Sequence, residues 1–126
     1  PRTLNSFELQ LNNWVQRIDT KQYVQVKGIS EKLITLDNEE VISIDKLSPI
    51  PLSDKLLIDH CGYREEEGDG GSVGKYTWLE DDYTDLTNIL RNGLYKIEEM
   101  EVVLRYLHTF QNVYKLRTKR ELLVKF

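Results

Sequence analysis

Between Tyr23 and Ile44, apolar side chains recur close to every second position in three short runs: Tyr23, Val24, Val26 and Ile29; Leu33, Ile34 and Leu36; Val41, Ile42 and Ile44. Asp37, Asn38, Glu39 and Glu40 punctuate the last two. A period of two sends alternate side chains to opposite faces of an extended chain, so the stretch predicts consecutive antiparallel strands. Val, Ile, Tyr and Thr suit a half-buried pleated surface. So many short strands in so few residues cannot stand as an open sheet with two wet faces. The economical arrangement is a small rolled sheet of the SH3-like type over residues 1–50. Upstream, Phe7, Leu9 and Leu11 alternate as in a short strand, with a helical turn as the other possibility. Trp14 to Ile18 then leads to a turn near Asp19, Thr20 and Lys21. The turn at Asp37 and Asn38 rests on the tolerance of both residues for left-handed backbone.

Pro49 and Pro51 end this unit, because neither can donate to a ladder. A helix is predicted over 54–61. Ser53 is placed to cap it, and Asp54 sits in the first turn, where the helix dipole favours negative charge. Leu52 and Leu57 have the spacing of a hydrophobic staple, and Gly62 can take the left-handed exit, with Tyr63 folding back on Leu57 or Ile58. Residues 64–74, three glutamates followed by Gly68, Gly70, Gly71 and Gly74, predict a mobile loop. Lys75 to Glu80 reads as a strand through Tyr76 and Trp78. Residues 84–90 fit strand or helix equally. Asn92 and Gly93 signal a turn, and 94–105 suit one or two strands. Residues 106–118 carry the helical period, with Tyr106, Leu107, Phe110, Val113, Tyr114 and Leu116 on one stripe. His108, Gln111, Asn112, Lys115 and Thr118 lie mainly on the other side. Leu122 to Phe126 reads as a last strand. The expected fold class is α+β, mostly antiparallel β, with residues 51–126 forming an α+β unit packed with the first as one body.

Charge is segregated along the chain. The net value of -4 conceals a near-neutral first part. Residues 54–101 carry thirteen acidic against five basic side chains, and residues 102–126 carry six basic against one acidic. Such asymmetry marks an interaction surface, unless the two segments neutralise each other in the fold. With 40% hydrophobic residues, the composition is too apolar for intrinsic disorder. No apolar run reaches the roughly 18–20 residues that span a bilayer, and no basic region followed by an apolar stretch opens the chain. Cys61 is the only cysteine, so no internal disulfide is expected. These features suit a cytoplasmic protein with no membrane partner.

Few residues are arranged for covalent chemistry. Cys61 with His60 or His108 is the one conceivable nucleophile pair. His60, adjacent on a helix, points about 100° away from Cys61, and a buried cysteine commonly behaves as a small hydrophobe. No catalytic residue is therefore assigned. Two histidines and one cysteine lack metal-ligand spacing. The run from Glu65 to Gly70 lacks the alternation of a calcium loop, and no phosphate-binding glycine loop precedes a helix. No metal or cofactor is expected.

The tail Tyr106, Leu107, His108, Thr109, Phe110, Gln111, Asn112, Val113 and Tyr114, followed by Leu116, Thr118, Glu121 and Leu122, resembles a family of small uncharacterised proteins from phages and mobile elements of Bacteroidota. Tails in that family read YVHQLQNLYFALTGEEL. The helix start at Ile50, Pro51, Leu52 and Ser53, the exit at Gly62 and Tyr63, and Asn13, Trp14 and Val15 are similar to it too. His108, Gln111, Asn112 and Tyr114 carry over. Lys119 stands where the family has Gly, and Arg120 where it has an acid. The resemblance implies a phage-type source, a bacterial host cytoplasm and action by binding host machinery.

Two binding surfaces follow as candidates. The acidic set Glu65, Glu66, Glu67, Asp69, Asp81, Asp82 and Asp85, with Glu98, Glu99 and Glu101 nearby in sequence, could meet the cationic groove of a nucleic-acid enzyme. That suits an anti-CRISPR-like inhibitor of a host defence nuclease, such as a Cas-type nuclease or its RNA complex. The basic set Arg105, Lys115, Arg117, Lys119 and Arg120, with Lys125, could neutralise phosphates while Tyr106 and Tyr114 stack on bases, as in a nucleic-acid-binding accessory module. The plainer reading of both sets is a solvated face.

Overall fold

The computed structural model describes residues 4–89 and 92–126. Among the described residues, nine strands and two α-helices follow one another: β1 (Trp14–Arg17), β2 (Tyr23–Ile29), β3 (Leu33–Leu36), β4 (Val41–Ser43), β5 (Leu47–Ser48), α1 (Asp54–His60), β6 (Arg64–Asp69), β7 (Lys75–Glu80), β8 (Asp85–Ile89), β9 (Leu94–Ile97) and α2 (Leu107–Thr118). The fold is α+β with antiparallel pairing in two sheets. No helix among the described residues is long and apolar enough to cross a membrane. By internal contacts the chain divides into two units: Pro1–Pro51 with Tyr106–Val113, and Leu52–Arg105 with Tyr114–Phe126. The first unit thus recruits a late piece of chain that a division at residue 50 leaves out.

In the first unit the alternating runs become a meander of order β4-β3-β2-β1-β5. A 3₁₀ turn, Ile44–Lys46, redirects the chain so that β5 pairs back on β1 through Gln16↔Ser48 and Arg17↔Leu47. This is the run of consecutive antiparallel strands that the periodicity predicts. Val15, Val24, Val26, Ile34, Leu36 and Leu47 form its core with Leu4 and Leu9. Burying each such aliphatic side chain contributes roughly 1.5–3 kcal/mol.

Of the two readings open for Phe7, Leu9 and Leu11, the helical turn is the one found: Ser6–Glu8 is a 3₁₀ turn, and the Asn5 side chain caps it by accepting the Phe7 N–H. Leu9 is buried whereas Phe7 is 96% exposed. At the β3–β4 hairpin the left-handed residue is Glu39, φ 69°. Asp37 and Asn38 act as acceptors instead, Asn38 Oδ1 taking the Glu40 N–H at 3.0 Å and Asp37 Oδ1 the Gln25 N–H at 3.5 Å.

The larger surprise is α2. Leu107, Phe110 and Tyr114 are buried as the stripe predicts, yet His108 and Gln111 are buried with them, while Leu116 is 67% exposed. The polar side chains turn inward because they answer the backbone of the segment before β1. Gln111 Oε1 accepts the Trp14 N–H at 2.8 Å, and its Nε2 donates to the Asn12 carbonyl at 3.1 Å. Asn112 Nδ2 donates to the Glu8 carbonyl at 3.0 Å, and its Oδ1 accepts from Asn13 Nδ2 at 2.8 Å. His108 Nε2 donates to the Glu8 carboxylate at 2.7 Å. A buried amide that satisfies two irregular backbone groups is worth more than an apolar side chain there, since an unpaired buried donor or acceptor costs about 1–3 kcal/mol.

In the second unit, α1 is as expected. Ser53 Oγ accepts the Leu56 N–H at 3.0 Å, Leu52 and Leu57 are both buried, and Gly62 takes φ 76° at the exit. The sheet runs β6-β7-β8-β9. Residues 64–69 are not a loop. They form β6, paired residue by residue with β7 from Arg64↔Glu80 to Asp69↔Lys75, and Gly71–Val73 closes the hairpin as a 3₁₀ turn. The stretch left open between strand and helix is strand β8; Leu90 lies outside the described residues. After β9 only a bridge, Tyr95↔Leu104, continues the sheet, because Glu98 turns the chain with φ 49°. The last residues form no strand either. They run extended against the end of α1, where Lys125 N–H donates to the His60 carbonyl at 2.8 Å and His60 Nδ1 donates to the Lys125 carbonyl at 2.8 Å.

Replacing Gln111→Ala removes the side-chain acceptor of the Trp14 N–H and one of the donors to the Asn12 carbonyl, which Gln25 Nε2 also meets at 3.0 Å. It should lower unfolding stability by about 1–3 kcal/mol, read as a lower urea midpoint at unchanged m-value. Leu116→Ala on the same helix should change it by no more than about 0.5 kcal/mol.

Candidate interaction surface on the acidic hairpin

A six-pair ladder fixes which acidic side chains share a face. Glu65 opposes the buried Leu79, and Glu67 and Asp69 follow at period two on that face. Arg64, Glu66 and Gly68 take the other face, opposite Glu80, Trp78 and Tyr76. Asp85 pairs with Glu80 and so joins the Glu66 face. The glutamate run is therefore split, three acids to one side and Glu66 to the other.

Glu, Gly and Asp are poor strand formers, so the order of β6 comes from its partner. The Tyr76 and Trp78 rings lie 5.3 Å apart and lean across the strand over Gly68. A Cβ on Gly68 would meet Trp78 Cζ3 at 2.8 Å and the Tyr76 Cζ and hydroxyl at 3.0 Å. The missing side chain admits the rings, and the rings cover bare backbone, the packing that rescues glycine in sheets. Sequence reading found the strand carrying Tyr76 and Trp78 but not this role. The usable signal was an aromatic pair two residues apart, across a short turn from a lone Gly in an acidic run.

Glu65, Glu67, Asp69 and Asp85 are exposed and Glu66 is half-buried. Among the described residues none of these five acids is in an ion pair. Asp69 Oδ1 does accept the Gly71 N–H at 2.9 Å. A polar hollow of about 560 Å³ opens beside the hairpin, lined by Asp54, Glu65, Lys75, Tyr76, Thr77 and Asn88. Asp54 is held at its rim by Tyr95 Oη and by Asn88 Nδ2, the latter at 3.2 Å.

The other candidate acids differ. Asp81 works inside the fold. Its Oδ1 accepts the N–H groups of Tyr83 and Thr84 at 2.8 and 2.7 Å and the Thr84 hydroxyl at 3.1 Å; its Oδ2 accepts the Tyr114 hydroxyl at 2.6 Å. Thr84 Oγ1 in turn accepts from Tyr63. Asp82 pairs with Arg64 at 3.4 Å.

Three of the six tail cations are engaged. Lys115 meets Glu121 at 2.8 Å, Arg117 meets Glu98 at 2.6 Å, and the Arg120 guanidinium sits 4.2 Å over the Tyr83 ring. The Arg117–Glu98 pair joins the tail to the acidic middle. Lys119 follows α2 in the left-handed region, φ 62°, where glycine is the favoured residue. Arg105 is exposed and its carbonyl accepts the Leu52 N–H at 2.9 Å. Tyr114 is buried, so its ring offers no platform for a base.

Cys61 is buried, and burial pushes its thiol up to about 12. His60 Nδ1 is committed to the Lys125 carbonyl, and His108 belongs to the other unit. Among the described residues no group of three or more His, Cys, Asp or Glu side chains could hold a metal ion. In comparison with known proteins, the chain matches no family model, no curated protein and no solved structure.

Burial also raises the Tyr63, Tyr95 and Tyr114 hydroxyls above their ordinary value; for the last two, hydrogen bonds to Asp54 and Asp81 add to it. With Cys61, these groups stay neutral in the folded chain but ionise in the unfolded one near about pH 8.5 for the thiol and about pH 10 for the phenols. Their contribution to stability is fully present below those values and is lost progressively as pH rises from them through the raised folded-state values. The urea midpoint should hold from about pH 7 to about pH 8.5 and then fall steadily toward about pH 11. A flat midpoint across that range would contradict the assignment.

Proposed function

We propose that this chain is a non-enzymatic binding protein that presents the acidic β6–β7 hairpin to a cationic surface of a host macromolecule. The carrying observation is the contrast in pairing: Glu65, Glu66, Glu67, Asp69 and Asp85 stand outside every described ion pair, while Lys115, Arg117 and Arg120 of the tail are engaged within the fold. Free carboxylates fixed on a strand retain their field for a partner and speed its association, most strongly at low salt. The partner class that fits is a protein with a cationic nucleic-acid groove. The tail resemblance supports a phage-type inhibitor of a nucleic-acid-guided defence nuclease, anti-CRISPR-like in action, in the cytoplasm of a bacterial host. Lys119 in left-handed backbone, where that family has Gly, is compatible with the resemblance. The second reading, nucleic-acid binding through the tail, keeps Arg105, Lys119 and Lys125 as its cations but loses Tyr114 as a stacking platform.

The test is capture of host proteins on the immobilised chain. Glu65→Lys with Glu67→Lys and Asp69→Lys should weaken capture of the nuclease about tenfold or more at low salt, whereas Lys119→Ala with Arg120→Ala should leave it intact. Asp81 is excluded from the reversal because its carboxylate holds the β7–β8 turn. Undiminished capture by the triple variant would remove the acidic-surface reading.

A further inference from the structure

The four-stranded sheet has two edges, and they are unlike. β9 is met by Leu104, whose N–H and carbonyl bond Tyr95 at 2.7 and 2.8 Å. β6, six residues long, has β7 on one side and no strand on the other among the described residues. A strand edge carries alternate N–H and carbonyl groups that point outward and can template another strand. The side chains of β6 say which one. Glu65, Glu67 and Asp69 line one face at period two. On the other, Glu66 stands next to Gly68, over which the Tyr76 and Trp78 rings reach toward the open edge.

We infer that β6 is a strand-addition site for an extended segment of a partner protein that carries arginine and lysine on both faces. The inference rests on the acidic-hairpin reading above and makes it specific. Main-chain hydrogen bonds to the outer edge supply register, and alternate side chains supply specificity. Basic residues on the first face meet Glu65, Glu67 and Asp69. An arginine on the second face, level with Gly68, lies against the Tyr76 and Trp78 rings with Glu66 beside it, a cation–π seat closed by a carboxylate. Had Gly68 carried a side chain, the rings could not reach across the strand and the seat would not exist. A second copy of this chain does not fit, because two β6 edges would oppose like charges. The same repulsion keeps the edge from pairing with itself while it waits for a basic strand.

The intact 126-residue chain is titrated at low ionic strength with a labelled peptide of about ten residues, long enough to pair along the edge, in which arginine and lysine alternate with threonine and valine. A second peptide has the same sequence with alternate backbone nitrogens methylated, which preserves charge and removes the ladder. The first should bind at least about tenfold more tightly. Tyr76→Ala, at an exposed position, should weaken the arginine peptide several-fold and a lysine-only peptide much less. Equal binding of the methylated and unmethylated peptides would overturn strand addition while leaving the acidic-surface reading in place. No binding of either would overturn it too, with the acidic-surface reading then judged by host capture alone. Equal losses for arginine and lysine peptides on Tyr76→Ala would overturn the arginine seat.

Discussion

Three polar side chains on one helix hold the first unit together. His108, Gln111 and Asn112 of α2 reach the backbone and side chains of Glu8, Asn12, Asn13 and Trp14, the segment that enters the five-stranded sheet. Asn12 sits there in left-handed backbone, φ 75°, and the neighbouring peptide groups cannot all be satisfied by strand pairing. The helix amides replace the missing ladder. The last part of the chain is thereby tied to the first, and the hydrophobic core of Leu4, Leu9 and the strands is closed at that entrance.

The second unit solves a different problem. An acidic, glycine-rich segment with little strand propensity is ordered by a six-residue ladder and by two aromatic rings laid over its glycine. Its carboxylates remain in water and outside the described ion pairs. Asp81, by contrast, is consumed in building the β7–β8 turn, and Glu98 is taken by Arg117. One charge class thus splits into groups that hold the fold and groups left to act outside it.

Period-two patterning made the first sheet legible, because β2 and β3 bury alternate residues, Val24 and Val26, then Ile34 and Leu36. The cap at Ser53, the staple and the Gly62 exit made α1 legible. The chain reads less well where a rule of residue type met a stronger tertiary contact. Composition made 64–74 look like a loop, but pairing with β7 overrode it. Polarity placed His108 and Gln111 on a wet face, but unsatisfied backbone drew them inward. Apolar alternation made 122–126 look like a strand, but Lys125 pairs with His60 at the end of α1 instead of with a strand. The candidate acids were found by charge alone; their division between two faces, and the separate duty of Asp81, depend on register and turn geometry that no local pattern encodes.

The functional account turns on β6 being an ordered strand with one free edge. Amide hydrogen exchange across Arg64–Asp69 examines that directly. In the free chain, amides paired with β7 should exchange slowly and the alternate, outward ones quickly, and the quick set should slow when the basic partner strand is present. Uniformly fast exchange across all six residues, or an outward set that stays fast while the partner is bound, would contradict it.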